Sequence, residues 1–262
     1  MPTAEDVLSE TFARLMKNWA FITSLRQVAD VALPVAEDAL TVIHTDVVER
    51  ASVDPHYRKI IVNLDGSETE WGEGVKKLLR AGMTESAIKN ARAAIDAASL
   101  VFAQSVLDDC VWSYLKVCSL TSPADWEPII AEKKASFAEY FGRPHDEMRD
   151  AVIREKVEQI ERDFSLPKKV DLLFRLCTPP KGYTPIDGYI YDRDRLEEID
   201  DARHGIIHRN GLGKPVQSID EDLDFIWKTA NYLLALVNHK YGVQVSMFKL
   251  LNQPTTSEAT RN

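Results

Sequence analysis

Long apolar runs are missing from this chain of 262 residues. The best candidate, AIDAASLVFAQSVL, is interrupted by Asp96 and Gln104, so no stretch of about 18 apolar residues is available to span a bilayer. The opening MPTAEDVLSE is acidic where a secretory leader is basic and then apolar. The expectation is a soluble, cytoplasmic chain without a membrane partner. Cysteine is scarce. Cys110, Cys118 and Cys177 make no paired framework, and the first two sit in an apolar helical pattern that reads as buried free thiols. Positive charge is in deficit: 32 Lys and Arg against 41 acids leave a net charge of −9. That excludes a general nucleic-acid coat, which needs a basic footprint, but leaves room for a small local basic site. Gly-rich phosphate loops are also missing, since Gly211-Leu212-Gly213-Lys214 falls far short of one. No cofactor is implied.

Helical periodicity is what the chain has in abundance. Ile88, Ala91, Ile95, Ala98, Phe102, Val106, Cys110, Tyr114 and Val117 follow three-and-four spacing, which predicts one long helix over 84–119. Ser122-Pro123 stops it and opens a helix through about Phe141, ended by Gly142-Arg143-Pro144. Charged helical sequence follows over 145–164, then a short apolar helix over 166–177. Residues 178–191 form a Pro/Gly/Tyr-rich loop with room for a short hairpin. Residues 192–209 are helical again, with Asn210-Gly211 as the stop. Ser218-Ile219-Asp220-Glu221 has the pattern of a capping box before a final helix carrying Leu223, Ile226, Ala230, Leu233, Val237 and Tyr241. Upstream, helices are expected over 4–31 and 35–52, while RKIIVNL at 58–64 is open between strand and helix. The chain is expected to be all-α: an N-terminal helical extension over 1–83, a helical bundle over 84–250 and a disordered tail over 251–262.

One short segment stands apart in charge. Residues 192–201, DRDRLEEIDD, carry six acids and two arginines; residues 203–217 carry Arg203, Arg209 and Lys214 and no acid. Helix macrodipoles account for part of this, because they favour acids at N-termini and bases at C-termini. On a helix, Leu196, Ile199, Ile206 and Ile207 make an apolar stripe, and Arg203 falls inside it. An arginine there needs a carboxylate partner or an open cleft, since an unpaired buried guanidinium is very costly. His204 and His208 share another face, and Asp200 continues their row.

Arg203-His204-Gly205-Ile206-Ile207-His208 resembles the arginine, polar residue, three residues, histidine motif of HEPN domains, and Arg209-Asn210-Gly211 continues the likeness. The position, at the end of a helix before a last amphipathic helix, is similar as well; the resemblance covers about residues 84–245. It implies a HEPN-like helical bundle and a metal-independent endoribonuclease cutting single-stranded RNA, in a family that includes toxins and antiviral effectors. It also implies that Arg203 stabilises phosphorane charge, that His208 transfers a proton near the ribose 2′-hydroxyl and that His204 supports them. Arg209, Asn210 and Lys214 are the expected substrate-binding residues. Arg203 and His208 lie about 140° apart on an ideal helix, and the family pairs its motifs across a homodimer. An antitoxin or regulatory protein is a further implied partner.

Other classes stay open. A non-catalytic HEPN-like module binding RNA or protein fits the acidic net charge. A metal hydrolase could recruit Asp200, His204 and His208, although Gly205 stands where HExxH would place its glutamate. A helical structural protein without a site is the plainest reading. Tyr183, Tyr189 and Tyr191 could stack on bases or simply close their loop over the core. Trp112 and Trp227 read as core.

Overall fold

The computed structural model describes residues 2–54, 72–130, 144–208, 218–243 and 245. All regular structure among them is helical: α1 (Ala4–Val53), α2 (Glu73–Thr121), a 3-10 turn (Pro123–Trp126) running into α3 (Glu127–Ile130), α4 (His145–Asp163), α5 (Leu166–Leu176), α6 (Arg193–His208) and α7 (Ile219–Tyr241). None of these helices is long and apolar enough to cross a membrane. By packing, the chain forms two compact units. One comprises Met1–Phe21, Leu100–His204 and Ser218–Asn262, the other Ile22–Ser99 and Gly205–Gln217. RKIIVNL, the end of the helix expected to reach Phe141, and the tail beyond 250 lie outside the described residues.

In the second unit, α1 runs against α2. The two helices expected over 4–31 and 35–52 are one helix of 50 residues with Pro34 inside it. An internal proline removes a hydrogen bond to the carbonyl four residues back and costs about 3 kcal/mol. Contacts to α2 on both sides of Pro34 offset this. Asp30 pairs with Arg92 before it. After it, His44 Nδ1 lies 2.9 Å from Thr84 Oγ1, and Glu49 pairs with Arg80 and takes Lys76 Nζ at 2.7 Å. The same contacts explain why α2 begins at Glu73 rather than at Thr84: Lys76 and Arg80, in a segment with little apolar pattern, have Glu49 to meet.

The first unit holds the larger core. Leu100, Leu107 and Tyr114 on α2 are fully buried at seven-residue spacing, as are Val111 and Cys118. This is the repeat that keeps one seam of a long helix against its neighbours. On α7, Leu223, Ile226, Ala230, Leu233 and Val237 are buried, and the Tyr114 hydroxyl donates to the Ala230 carbonyl at 3.2 Å. All three cysteines are free and buried, and burial pushes the Cys110 thiol up to about 12. Lys169 of α5 is 4% exposed and donates to both carboxylate oxygens of Asp108, at 2.8 and 3.0 Å.

Residues 178–191 form turns without a strand. The Tyr183 hydroxyl donates to the Ala235 carbonyl at 2.9 Å, and the Tyr189 hydroxyl lies 2.6 Å from Thr229 Oγ1. Tyr191 packs its ring 4.8 Å from Phe174. Burial raises both Tyr189, to about 12, and Tyr191. These rings pack the loop over α7 and α5.

Both ends of α7 depart from or follow simple capping rules. The capping box expected at Ser218 does not form. Ser218 adopts left-handed backbone angles, φ 55° and ψ 34°, and its hydroxyl caps nothing. A capping side chain needs the extended backbone of a normal N-cap to reach back to the first turn. At the other end Gly242 is left-handed, φ 65°, and donates its N–H to the Asn238 carbonyl at 2.8 Å. Only glycine takes that conformation without a Cβ penalty. Gly242→Ala is therefore expected to lower stability by about 1 kcal/mol, read as a shifted urea midpoint with an unchanged slope.

Candidate functional site

Helix α6 carries the motif. It begins at an N-cap: Asp192 Oδ1 accepts the backbone N–H of Arg195 at 3.1 Å. Ion pairs then fix its first turns. Arg193 reaches Asp171 of α5 at 3.0 Å, and Arg195 pairs with Asp222 of α7. Its inner face buries Leu196, Ile199 and Ile206. Ile207, expected in the same stripe, is 49% exposed.

Asp200 departs most from the expected geometry. A flat projection puts it in one row with His204 and His208, yet it is buried while both histidines are exposed. Its Oδ1 accepts Gln104 Nε2 of α2 at 2.7 Å. The carboxylate is thus engaged by the core. Among the described residues no group of three His, Cys, Asp or Glu side chains is placed to hold a metal ion.

Arg203 follows one turn after Asp200. Its side chain is 27% exposed, and Nη2 lies 3.5 Å from Asp200 Oδ1, longer than a good charge-assisted hydrogen bond. Its Nε is buried with no hydrogen-bond partner among the described residues, and Gln104 Oε1 is in the same state. The sequence expectation of a structural ion pair is met only loosely, and by a carboxylate on the same helix. A guanidinium carries five N–H donors. Among the described residues, Asp200, which also takes Gln104, meets few of them.

His204 Nδ1 lies 3.1 Å from the Asp200 carbonyl oxygen. A carbonyl only accepts, so the contact places a proton on Nδ1. His208 sits exposed in the last turn, five residues beyond Arg203. Helix geometry turns the two side chains about 140° apart. Arg209, Asn210 and Lys214, expected to bind substrate, lie outside the described residues.

Gln104 is the member of this cluster that motif reading does not reveal. Its one sequence signal is a polar side chain at a buried position of the α2 seam, fully enclosed at 1% exposure. A buried amide needs a partner, and Asp200 is that partner. No family model, curated protein or solved structure matches the chain.

Proposed function

We propose that this chain is a metal-independent endoribonuclease of HEPN type, cutting single-stranded RNA through its own 2′-hydroxyl. The observation that carries the reading is Arg203, a part-buried guanidinium loosely held by Asp200, on the helix that ends in His208. A phosphodiester supplies the anion such an arginine lacks, and low-dielectric surroundings strengthen the contact. The ribose 2′-oxygen attacks phosphorus and loses its proton to His208. The phosphorus–O5′ bond breaks, and the 5′ oxygen leaves as a hydroxyl, taking its proton from solvent water. Arg203 neutralises the charge that builds on the non-bridging oxygens. A 2′,3′-cyclic phosphate and a 5′-hydroxyl result. On the resemblance to HEPN domains, such an enzyme would act as a toxin or antiviral effector, with an antitoxin or regulatory protein as its partner.

Because Arg203 and His208 diverge on one helix, the reading takes the arginine of one copy together with the histidine of a second. Mixing inactive Arg203→Ala with inactive His208→Ala tests this. Random re-pairing gives half heterodimers, each with one intact composite site, so the mixture is expected to recover about a quarter of wild-type cleavage. Recovery below 1% contradicts a shared site.

A second reading has its own support. The first half of α6 exposes Asp194, Glu197, Glu198 and Asp201, and the net charge is −9. Both oppose RNA at long range. A non-catalytic module binding RNA or protein through Arg203 would show saturable binding with no cleavage in any buffer.

A further inference from the structure

Two thiols meet where α2 and α5 end. Cys118 lies in the last turn of α2, and Cys177 caps the C-terminus of α5, 59 residues further along the chain. Their sulfurs are 3.7 Å apart, and both side chains are fully buried. The end of α7 and the 3-10 turn complete the surroundings. The Tyr241 hydroxyl donates to Asp125 Oδ2 at 3.0 Å, and Lys240 Nζ is 3.7 Å from the same oxygen. Cys110, about two turns earlier on α2, is buried as well, but among the described residues it makes no contact of this kind with another cysteine.

A thiol pair at this distance is close to bonding. Disulfide sulfurs are about 2.05 Å apart, so each sulfur has less than about 1 Å to move. Cys177 is the better placed to move. Its backbone, φ −119° and ψ 63°, has already left the helix, and the turns of residues 178–191 follow it. The two thiols also differ in acidity. The hydrogen bond from Cys118 holds the Cys177 thiol below its ordinary range against the opposing effect of burial; Tyr241 and Lys240 act in the same sense, and Asp125 acts against it. Burial pushes Cys118 up. Cys177 is thus the nucleophile of the pair and Cys118 the residue that resolves it.

We propose that Cys118 and Cys177 form a redox-active dithiol site, which a peroxide closes to a disulfide joining α2 to α5. The Cys177 thiolate attacks a peroxide oxygen and the O–O bond breaks. Cys177 becomes a sulfenic acid, and the departing oxygen takes up the proton the thiol gave up, forming water. The Cys118 sulfur then attacks the Cys177 sulfur. The S–S bond forms, the S–O bond breaks, and the hydroxyl leaves with the Cys118 proton as a second water. Two thiols and one hydrogen peroxide give one disulfide and two waters. Access comes through the loop: Thr178, Pro180 and Lys181 beside Cys177 are exposed, and local opening there uncovers the sulfur while α2 stays folded. The site stands independently of the ribonuclease reading.

Treating the full chain with hydrogen peroxide in native buffer, then alkylating and digesting it with trypsin, tests the site. The expected product is residues 117–133 joined to residues 176–181, a link that dithiothreitol breaks. The closed loop restrains the unfolded chain, so the melting temperature of the oxidised protein rises by about 5–10 °C and returns on reduction. Cys177→Ala abolishes both changes and Cys110→Ala keeps both. Should Cys177→Ala fold poorly, the wild-type digest and melt decide alone. Cys118 and Cys177 left unlinked, a link through Cys110, or disulfide-joined dimers would each overturn the site. So would an oxidised chain that melts no higher than the reduced one.

Discussion

Arg203→Ala is expected to lower RNA cleavage by about 10²–10³-fold, the usual loss when one preorganised donor to a developing oxyanion is removed. Stability changes far less. The side chain is partly exposed and its contact to Asp200 is 3.5 Å long, so the ion pair contributes no more than about 1 kcal/mol. Asp200 keeps its hydrogen bond from Gln104 in the variant. Arg203→Lys restores a charge but not the planar fork of donors, and recovers only part of the activity. His208→Ala removes proton transfer and loses about 10²–10⁴-fold. Single-turnover cleavage of a labelled oligonucleotide, with thermal melts alongside, checks both. Arg203→Ala cutting at the wild-type rate while folded would remove Arg203 from the mechanism.

The largest effect on stability is expected at Asp108, through an asymmetry between it and Lys169. Lys169 is nearly fully enclosed, and its ammonium donates to both carboxylate oxygens of Asp108. Asp108→Ala leaves a buried ammonium without that carboxylate, and loss of one member of a buried pair costs roughly 3–5 kcal/mol. Asp108 is 37% exposed, so water can reach its side of the pair and the lower end of the range, about 3 kcal/mol, is expected. Lys169→Met removes the buried charge as well as the pair and keeps the packing volume. Its carboxylate partner can be solvated, so the cost is about 1 kcal/mol or less. Urea unfolding of both variants measures the difference. Equal costs would mean that Lys169 is stabilised by something other than Asp108.

The helical class was legible because apolar spacing is a local property that survives in the fold. The stripe Leu223, Ile226, Ala230, Leu233, Val237 and Tyr241 reads directly off the sequence, and all but Tyr241, which is half-buried, are buried as read. What failed to read depended on partners distant in sequence. Pro34 looks like a helix end until Arg92, Thr84, Lys76 and Arg80 are placed beside α1. Ser218 has the right residues for a capping box but a left-handed backbone. Lys169, in the short apolar helix LPKKVDLLFRLC, is enclosed, and its partner Asp108 is 61 residues away. At the site, a helical projection grouped Asp200 with the two histidines. The projection is correct about angle but blind to depth, and Gln104 from α2 claims the carboxylate. Arg203 was legible as an arginine in want of a partner, and among the described residues Asp200 meets it only at 3.5 Å while its Nε has no hydrogen bond.

The most direct test is cleavage of single-stranded RNA by the purified full chain in excess EDTA, with the new ends identified. The expected result is undiminished cleavage, 2′,3′-cyclic phosphate and 5′-hydroxyl ends, and no cutting of a substrate whose scissile nucleotide lacks the 2′-hydroxyl. Arg203 and His208 need no metal for this, because the substrate carries its own nucleophile. Cleavage lost in EDTA and restored by zinc or manganese, with 5′-phosphate ends and the 2′-deoxy substrate cut equally well, would contradict the proposed function.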